Sequence, residues 1–141
     1  MVADAEIIRE REQRIRRYLK DLELFGDISL EDFRRNRERQ YAVLHALQLA
    51  IEAAIEVATH ICSADALGVP STYADTFRLL GDAAILPSDL TARLQLMAQF
   101  RNRIVHLYWD VDLDQVYAIL QDRLDDFESF LQRIEAYLSG S

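Results

Sequence analysis

At 141 residues, half of them hydrophobic and with only four Gly and two Pro, the chain is long enough for one domain with a real core. That composition excludes low-complexity disorder and argues against a turn-rich all-β fold, and a single cysteine, Cys62, excludes an intrachain disulfide. A net charge of −8 disfavours phosphate contact over the surface as a whole, but the charges are segregated. Ten of the 16 basic residues lie between Arg9 and Arg39, including Arg34, Arg35, Arg37 and Arg39, while Leu107 onward carries eight acids against two bases. Most of both runs read as solvated helix faces.

The opening MVADAEIIRERE has no apolar core of the signal-peptide kind, and no uncharged run approaches the ~20 residues of a membrane span. The expectation is a soluble cytoplasmic protein. Ile8, Ile15, Leu19 and Leu22 recur at three- to four-residue intervals and predict an amphipathic helix from Ala5 to about Phe25. Gly26 is expected to end it in the left-handed C-cap conformation, and Ser29 with Asp32 to open the next helix.

That second helix, Asp32 to about Ala66, has no internal Pro or Gly and is the predicted spine. Leu44, Leu47, Ile51, Ile55, Ala58 and Ile61 mark its apolar face, and its alanines allow another helix to approach closely. Cys62 falls in this run and reads as a small core residue, while His45 and His60 read as core-edge residues. Gly68 and Pro70 break the chain. Ser71 or Thr72 then caps a short helix, Tyr73 to Leu80, closed by Gly81. Ser88 is the expected cap of a helix carrying Leu90, Leu94, Met97, Ile104 and Val105, and a last helix starts at Asp112 with a stripe from Val116 to Leu138. The sum is one all-α domain over residues 1–141, a bundle of about five helices of which two are long.

The chemistry concentrates in Arg101-Asn102-Arg103-Ile104-Val105-His106-Leu107-Tyr108. On a helix, Asn102 and His106 share a face, so the amide can orient the imidazole. Arg101 and Tyr108 nearly align, whereas Arg101 and His106 diverge by about 140° unless the helix ends near His106. Arginine suits a phosphate because its planar fork donates two hydrogen bonds and keeps its charge. Histidine moves protons near neutral pH. Together they suffice to cleave RNA without a metal: a base deprotonates a 2′-hydroxyl, which attacks the adjacent phosphate while Arg stabilises the growing charge. The reaction wants both a base and an acid, and a symmetric dimer bringing two copies of the motif to one cleft would supply them. The residues alone leave the alternative open that Arg101 is a surface ion-pair donor and His106 a half-buried histidine. Trp109 and the tyrosines can stack on bases, with core packing the better account of most aromatics. Neither metal-ligand spacing nor a Gly-rich phosphate loop is present in the sequence.

This Arg-x4-His-x-Tyr pattern, at this depth in a helical chain of this length, resembles the HepT-like toxins of the HEPN ribonuclease superfamily. The stretches FRRNRERQYAVLHALQLAIEAAIEVATHI, VPSTYADTFRLLGDAAILP and MAQFRNRIVHLYWDVD follow that family's order and spacing, so the resemblance covers nearly the whole chain. It implies a homodimeric HEPN-type helical bundle without cofactor, acting on mRNA or tRNA as the toxin of a toxin–antitoxin pair. The implied partner is a minimal nucleotidyltransferase antitoxin of the MntA type. Arg101 and His106 would be catalytic, Asn102 would support the site, and Tyr108 would receive AMP from the antitoxin. No metal and no membrane are expected, from the lack of metal-ligand spacing and of a long uncharged run in the sequence. An AMP ester on Tyr108 would bring a negative phosphate beside Arg101 and block the cleft. The other class of function that fits these helices is a non-catalytic helical partner, or substrate-binding subunit, of a minimal nucleotidyltransferase.

Overall fold

The structure, a computed structural model, describes residues 3–140. Among them are seven α-helices, one 3-10 turn and no strand. α1 (Ala5–Phe25) is capped by Asp4, whose carboxylate accepts from the amides of Glu6 and Ile7. It lies along the spine helix α3 (Arg37–Ala64), burying Ile8, Ile15 and Leu22 against it. α3 is long and apolar enough by length and composition to cross a membrane, yet 61% of its most apolar window is buried inside the fold. Val43, Leu47, Ala50, Ile51, Ala54, Val57, Ala58 and Ile61 form its inner face, which is the core of the domain. Cys62 is buried there as expected, and burial pushes its thiol pKa up.

α4 (Tyr73–Asp82) and α5 (Ser88–His106) form a hairpin packed on α3, with α4 capped by Thr72. Gly81 does not end α4. It sits inside the helix, where a Cβ would meet Thr91 Oγ1 of α5 at 2.7 Å, so its lack of a side chain permits the close crossing. The left-handed positions after α3 and α4 are taken by Ala66 (φ 54°) and Ala84 (φ 61°). Each is locked by a backbone bond, Leu67 N–H to Cys62 O and Ile85 N–H to Leu80 O, both 3.0 Å. Gly26 likewise stays right-handed (φ −76°), and its use is space for Leu120. Ser88 is the first residue of α5, with Pro87 at the cap position.

Two segments that read as continuous helices are each divided. α2 (Leu30–Arg35), capped by Ser29, stops at Asn36, whose backbone is extended (φ −105°, ψ 92°) and whose side chain accepts from Arg39 N–H at 2.9 Å. Gln40 Nε2 covers the freed carbonyls of Phe33 and Arg34 at 2.8 and 3.0 Å. One asparagine thus ends one helix and starts the next, placing Arg34, Arg35 and Arg37 on a corner. The last segment divides into α6 (Leu113–Asp122) and α7 (Asp125–Leu138). Asp125, Asp126 and Glu128 occupy the first turn of α7, where the helix dipole favours acids. Asp126 is buried there and binds Arg93 Nε of α5 at 2.8 Å. His60 is half-buried and accepts the Asp4 amide at 2.9 Å, whereas His45 is exposed and not at the core edge.

Candidate active site

α5 ends at His106 because Leu107 leaves helical geometry (φ −138°, ψ 41°). The chain then tightens into the 3-10 turn Tyr108–Asp110, closed by Asp110 N–H on Leu107 O at 2.8 Å. This ending decides how the motif is displayed. Asn102 and His106 share a face, as expected of positions one turn apart. They line an open cavity of about 530 Å³ together with Leu96, Gln99 and Arg103 of α5 and Gln115 of α6. His106 is exposed at its mouth.

Arg101 lies on the neighbouring face and is largely enclosed, its side chain 15% exposed. Glu52 of α3 accepts from its Nε at 2.8 Å and lies 2.7 Å from its Nη2. Gln48, one turn earlier on α3, donates to the same Glu52 oxygen at 3.2 Å. The Arg101 guanidinium also sits 4.9 Å from the centre of the Tyr73 ring. Its remaining Nη1 donates to Asn102 Oδ1 at 3.2 Å. The amide of Asn102 therefore orients the arginine rather than the imidazole, and links the Arg101 side of the helix to the His106 cavity. A guanidinium held this way has its direction set before any phosphate arrives, which lowers the cost of ordering it.

Tyr108 goes elsewhere. With the helix finished at His106, its expected alignment with Arg101 does not form. Tyr108, 58% exposed, instead lines a cavity of about 600 Å³ against the Arg34, Arg35 and Arg37 corner and Tyr41, with Trp109 beside it. Tyr108 and Trp109 meet edge to face, ring centres 5.6 Å apart. Arg37 Nε donates to Tyr41 Oη at 3.1 Å, and that bond first, then the charges of Tyr41 and Tyr108, push the Arg37 pKa above its ordinary value. Tyr108 and Arg101 accordingly line different cavities.

A family model described as "Ribonuclease HepT-like" matches residues 15–134. The chain belongs to the HepT-like ribonuclease family. Among HepT relatives it is 35% identical over 132 residues to the tRNA nuclease HepT of Aphanizomenon flos-aquae, covering 94% of this chain and 90% of that one. It is also 35% identical over 123 residues to the mRNA nuclease HepT of Shewanella oneidensis, covering 86% and 91%. In three dimensions it superposes with a TM-score of 0.88 on the tri-AMPylated Shewanella oneidensis HEPN toxin, solved in complex with its MNT antitoxin. That match is 34% identical and covers 94% of this chain and 99% of the other. The family membership and the all-α HEPN fold expected from the motif both hold.

Two groups of residues escaped the sequence reading. Glu52 has a faint signal: with Glu56 it is one of only two acids in the apolar stretch from Ala46 to Thr59, where a charge needs a partner. Tyr41 and the Arg34–Arg37 run were visible in the sequence but carried no sign that they would meet Tyr108. Core packing accounts for most aromatics, as expected, and the exceptions are the exposed Tyr41 (51%), Tyr73 (46%), Tyr108 and Trp109 (72%).

Proposed function

We propose that this chain is a metal-independent endoribonuclease and the toxin of a toxin–antitoxin pair, with Arg101 and His106 as its catalytic residues. The observation that supports this most directly is the pairing of functions around Asn102. His106 stands free at the rim of an open cavity, while Arg101 is held one turn away by Glu52, Tyr73 and Asn102. His106 takes the proton of a ribose 2′-hydroxyl, and the resulting oxygen attacks the adjacent phosphorus. The bond from phosphorus to the 5′-oxygen breaks, leaving a 2′,3′-cyclic phosphate on one product. The departing oxygen takes a proton from an acid, for which a second copy of His106 in a symmetric homodimer is the natural source. Arg101 balances the charge that grows on the phosphate.

Tyr108 is the acceptor of AMP, delivered by a MntA-type minimal nucleotidyltransferase that serves as antitoxin, and the pair acts in the cytoplasm. Relatives solved with an MNT or MntA antitoxin support that partner, and one of them is tri-AMPylated. The test is cleavage of mRNA and tRNA in the presence of chelator by the wild-type chain and by His106→Ala. Wild type should yield 2′,3′-cyclic phosphate ends, and His106→Ala should lose at least about a hundredfold in rate. Equal cleavage by both, or none by wild type, would leave the chain as a helical partner of the nucleotidyltransferase instead.

A further inference from the structure

In a chain of net charge −8, the cavity beside Tyr108 is a local exception. Three guanidinium groups line it, from Arg34, Arg35 and Arg37, and no carboxylate does. The three are not equivalent. Asp114 neutralises Arg34 at 2.5 Å, and Glu31 lies 3.0 Å from Arg35. Arg37 instead donates to the Tyr41 hydroxyl and lies over the Tyr41 ring, its Cζ 5.7 Å from the centre. Among the described residues no carboxylate pairs with Arg37, so a phosphate can bind it without displacing an acid. Arg101 differs, since both nitrogens facing α3 are already taken by Glu52. The same cavity offers two open aromatic walls, Tyr41 at 51% and Trp109 at 72% exposure. An aromatic surface that open offers a flat apolar face for a ligand to pack on.

Cation and aromatic walls together match one chemical class, a nucleotide, whose phosphate wants a guanidinium and whose base wants a π-face. We propose that this cavity binds one nucleotide of the RNA strand, its phosphate on Arg37 and its base against Trp109 and Tyr41, and that AMP on Tyr108 occupies the same place. This rests on the ribonuclease reading above. His106 and Tyr108 line different cavities, but they are two residues apart, at most roughly 7 Å along the backbone, so a strand that crosses the end of α5 can enter both. Modification then inhibits by substitution: the attached AMP is itself a nucleotide, tethered where one of the substrate's would lie.

The test uses the full chain carrying His106→Ala, which blocks cleavage, and a short fluorescent single-stranded RNA with 2′-O-methyl riboses. Adding Arg37→Gln should weaken binding roughly tenfold and lower the slope of log affinity against log salt by about 0.7, the signature of one lost phosphate contact on a single strand. Adding Trp109→Ala instead should weaken binding by roughly five- to a hundredfold. AMP on Tyr108 should abolish binding of the oligonucleotide. Unchanged affinity and salt slope in Arg37→Gln, or binding undiminished by AMP, would overturn the proposal. So would an Arg37→Gln variant that loses only its nucleotidyltransferase, which would assign the surface to that protein. Cleavage by wild type with Arg37-independent binding sinks the subsite alone. Absent cleavage with Arg37-dependent binding sinks only the catalytic assignment.

Discussion

Glu52 of α3 holds Arg101 of α5 at 2.7 Å, tying the spine helix to the proposed catalytic helix across 49 residues of sequence. The two side chains are 26% and 15% exposed, so the pair is screened less than a surface ion pair. Glu52 is a positioning residue, and its removal should be read in the chemical step. Glu52→Ala is expected to lower kcat about tenfold, ~1.4 kcal/mol of barrier, with KM nearly unchanged, because Arg101 keeps its charge but loses its direction. Glu52→Gln, which retains an acceptor, should recover part of the loss. Steady-state RNA cleavage measures both, and a loss confined to KM would contradict the positioning role.

Tyr108 stands on an exposed turn, with its hydroxyl free of the helix that presents His106. Intact mass of the chain produced with its nucleotidyltransferase should therefore show one or more added AMP units, and Tyr108→Phe should show none. Unmodified Tyr108→Phe should still cleave RNA measurably, because the ring that lines the cavity is kept and Arg101 and His106 are untouched. Cells making Tyr108→Phe together with the nucleotidyltransferase should then stay arrested.

Glu12 is 5% exposed on the inner side of α1, and its Oε2 has no hydrogen-bond partner among the described residues. Burial first, and the facing Glu135 second, push its pKa up to about 7 from an ordinary 4.5, while Arg16 and Arg9 offset only part. Between those two values the folded state keeps a proton that the unfolded chain releases, so stability falls as pH rises through that window. Below the window the carboxyl is protonated in both states and costs nothing. Above it the full penalty, at most about 3 kcal/mol, is present. Urea unfolding at pH 5 and pH 8 should show this decline in wild type, and Glu12→Gln should flatten it and be the more stable protein at pH 8.

Gly81 and Thr91 make a close crossing between α4 and α5, and Thr91 cannot easily retreat because its hydroxyl donates to Pro87 O at 2.9 Å. Gly81→Ala should destabilise the domain by about 1–3 kcal/mol through overpacking, despite the better helix propensity of Ala. Adding Thr91→Ala should restore part of that loss, and a double-mutant cycle in urea measures the coupling. Additive effects would show that the helices have room to part.

Local signals carried much of this protein. The three- to four-residue recurrence of Leu47, Ile51, Ala54, Ala58 and Ile61 marked the buried face of the spine, because helical periodicity is a property of neighbours in sequence. The pattern of Arg101, Asn102, His106 and Tyr108, together with the order and spacing of the longer stretches before it, pointed to the family whose model matches residues 15–134. The breaks at Asn36 and Arg123 were not legible. An asparagine is compatible with a helix interior or an N-cap, and which it becomes depends on whether groups such as Gln40 cover the carbonyls left open. The surroundings of the site were decided by tertiary structure alone. Glu52 reaches Arg101, and the Arg34–Arg37 corner reaches Tyr108, only because α3 crosses behind α5 and α5 stops at His106. Electrostatic partnership acts through space across such separations, and no periodicity along the chain encodes it.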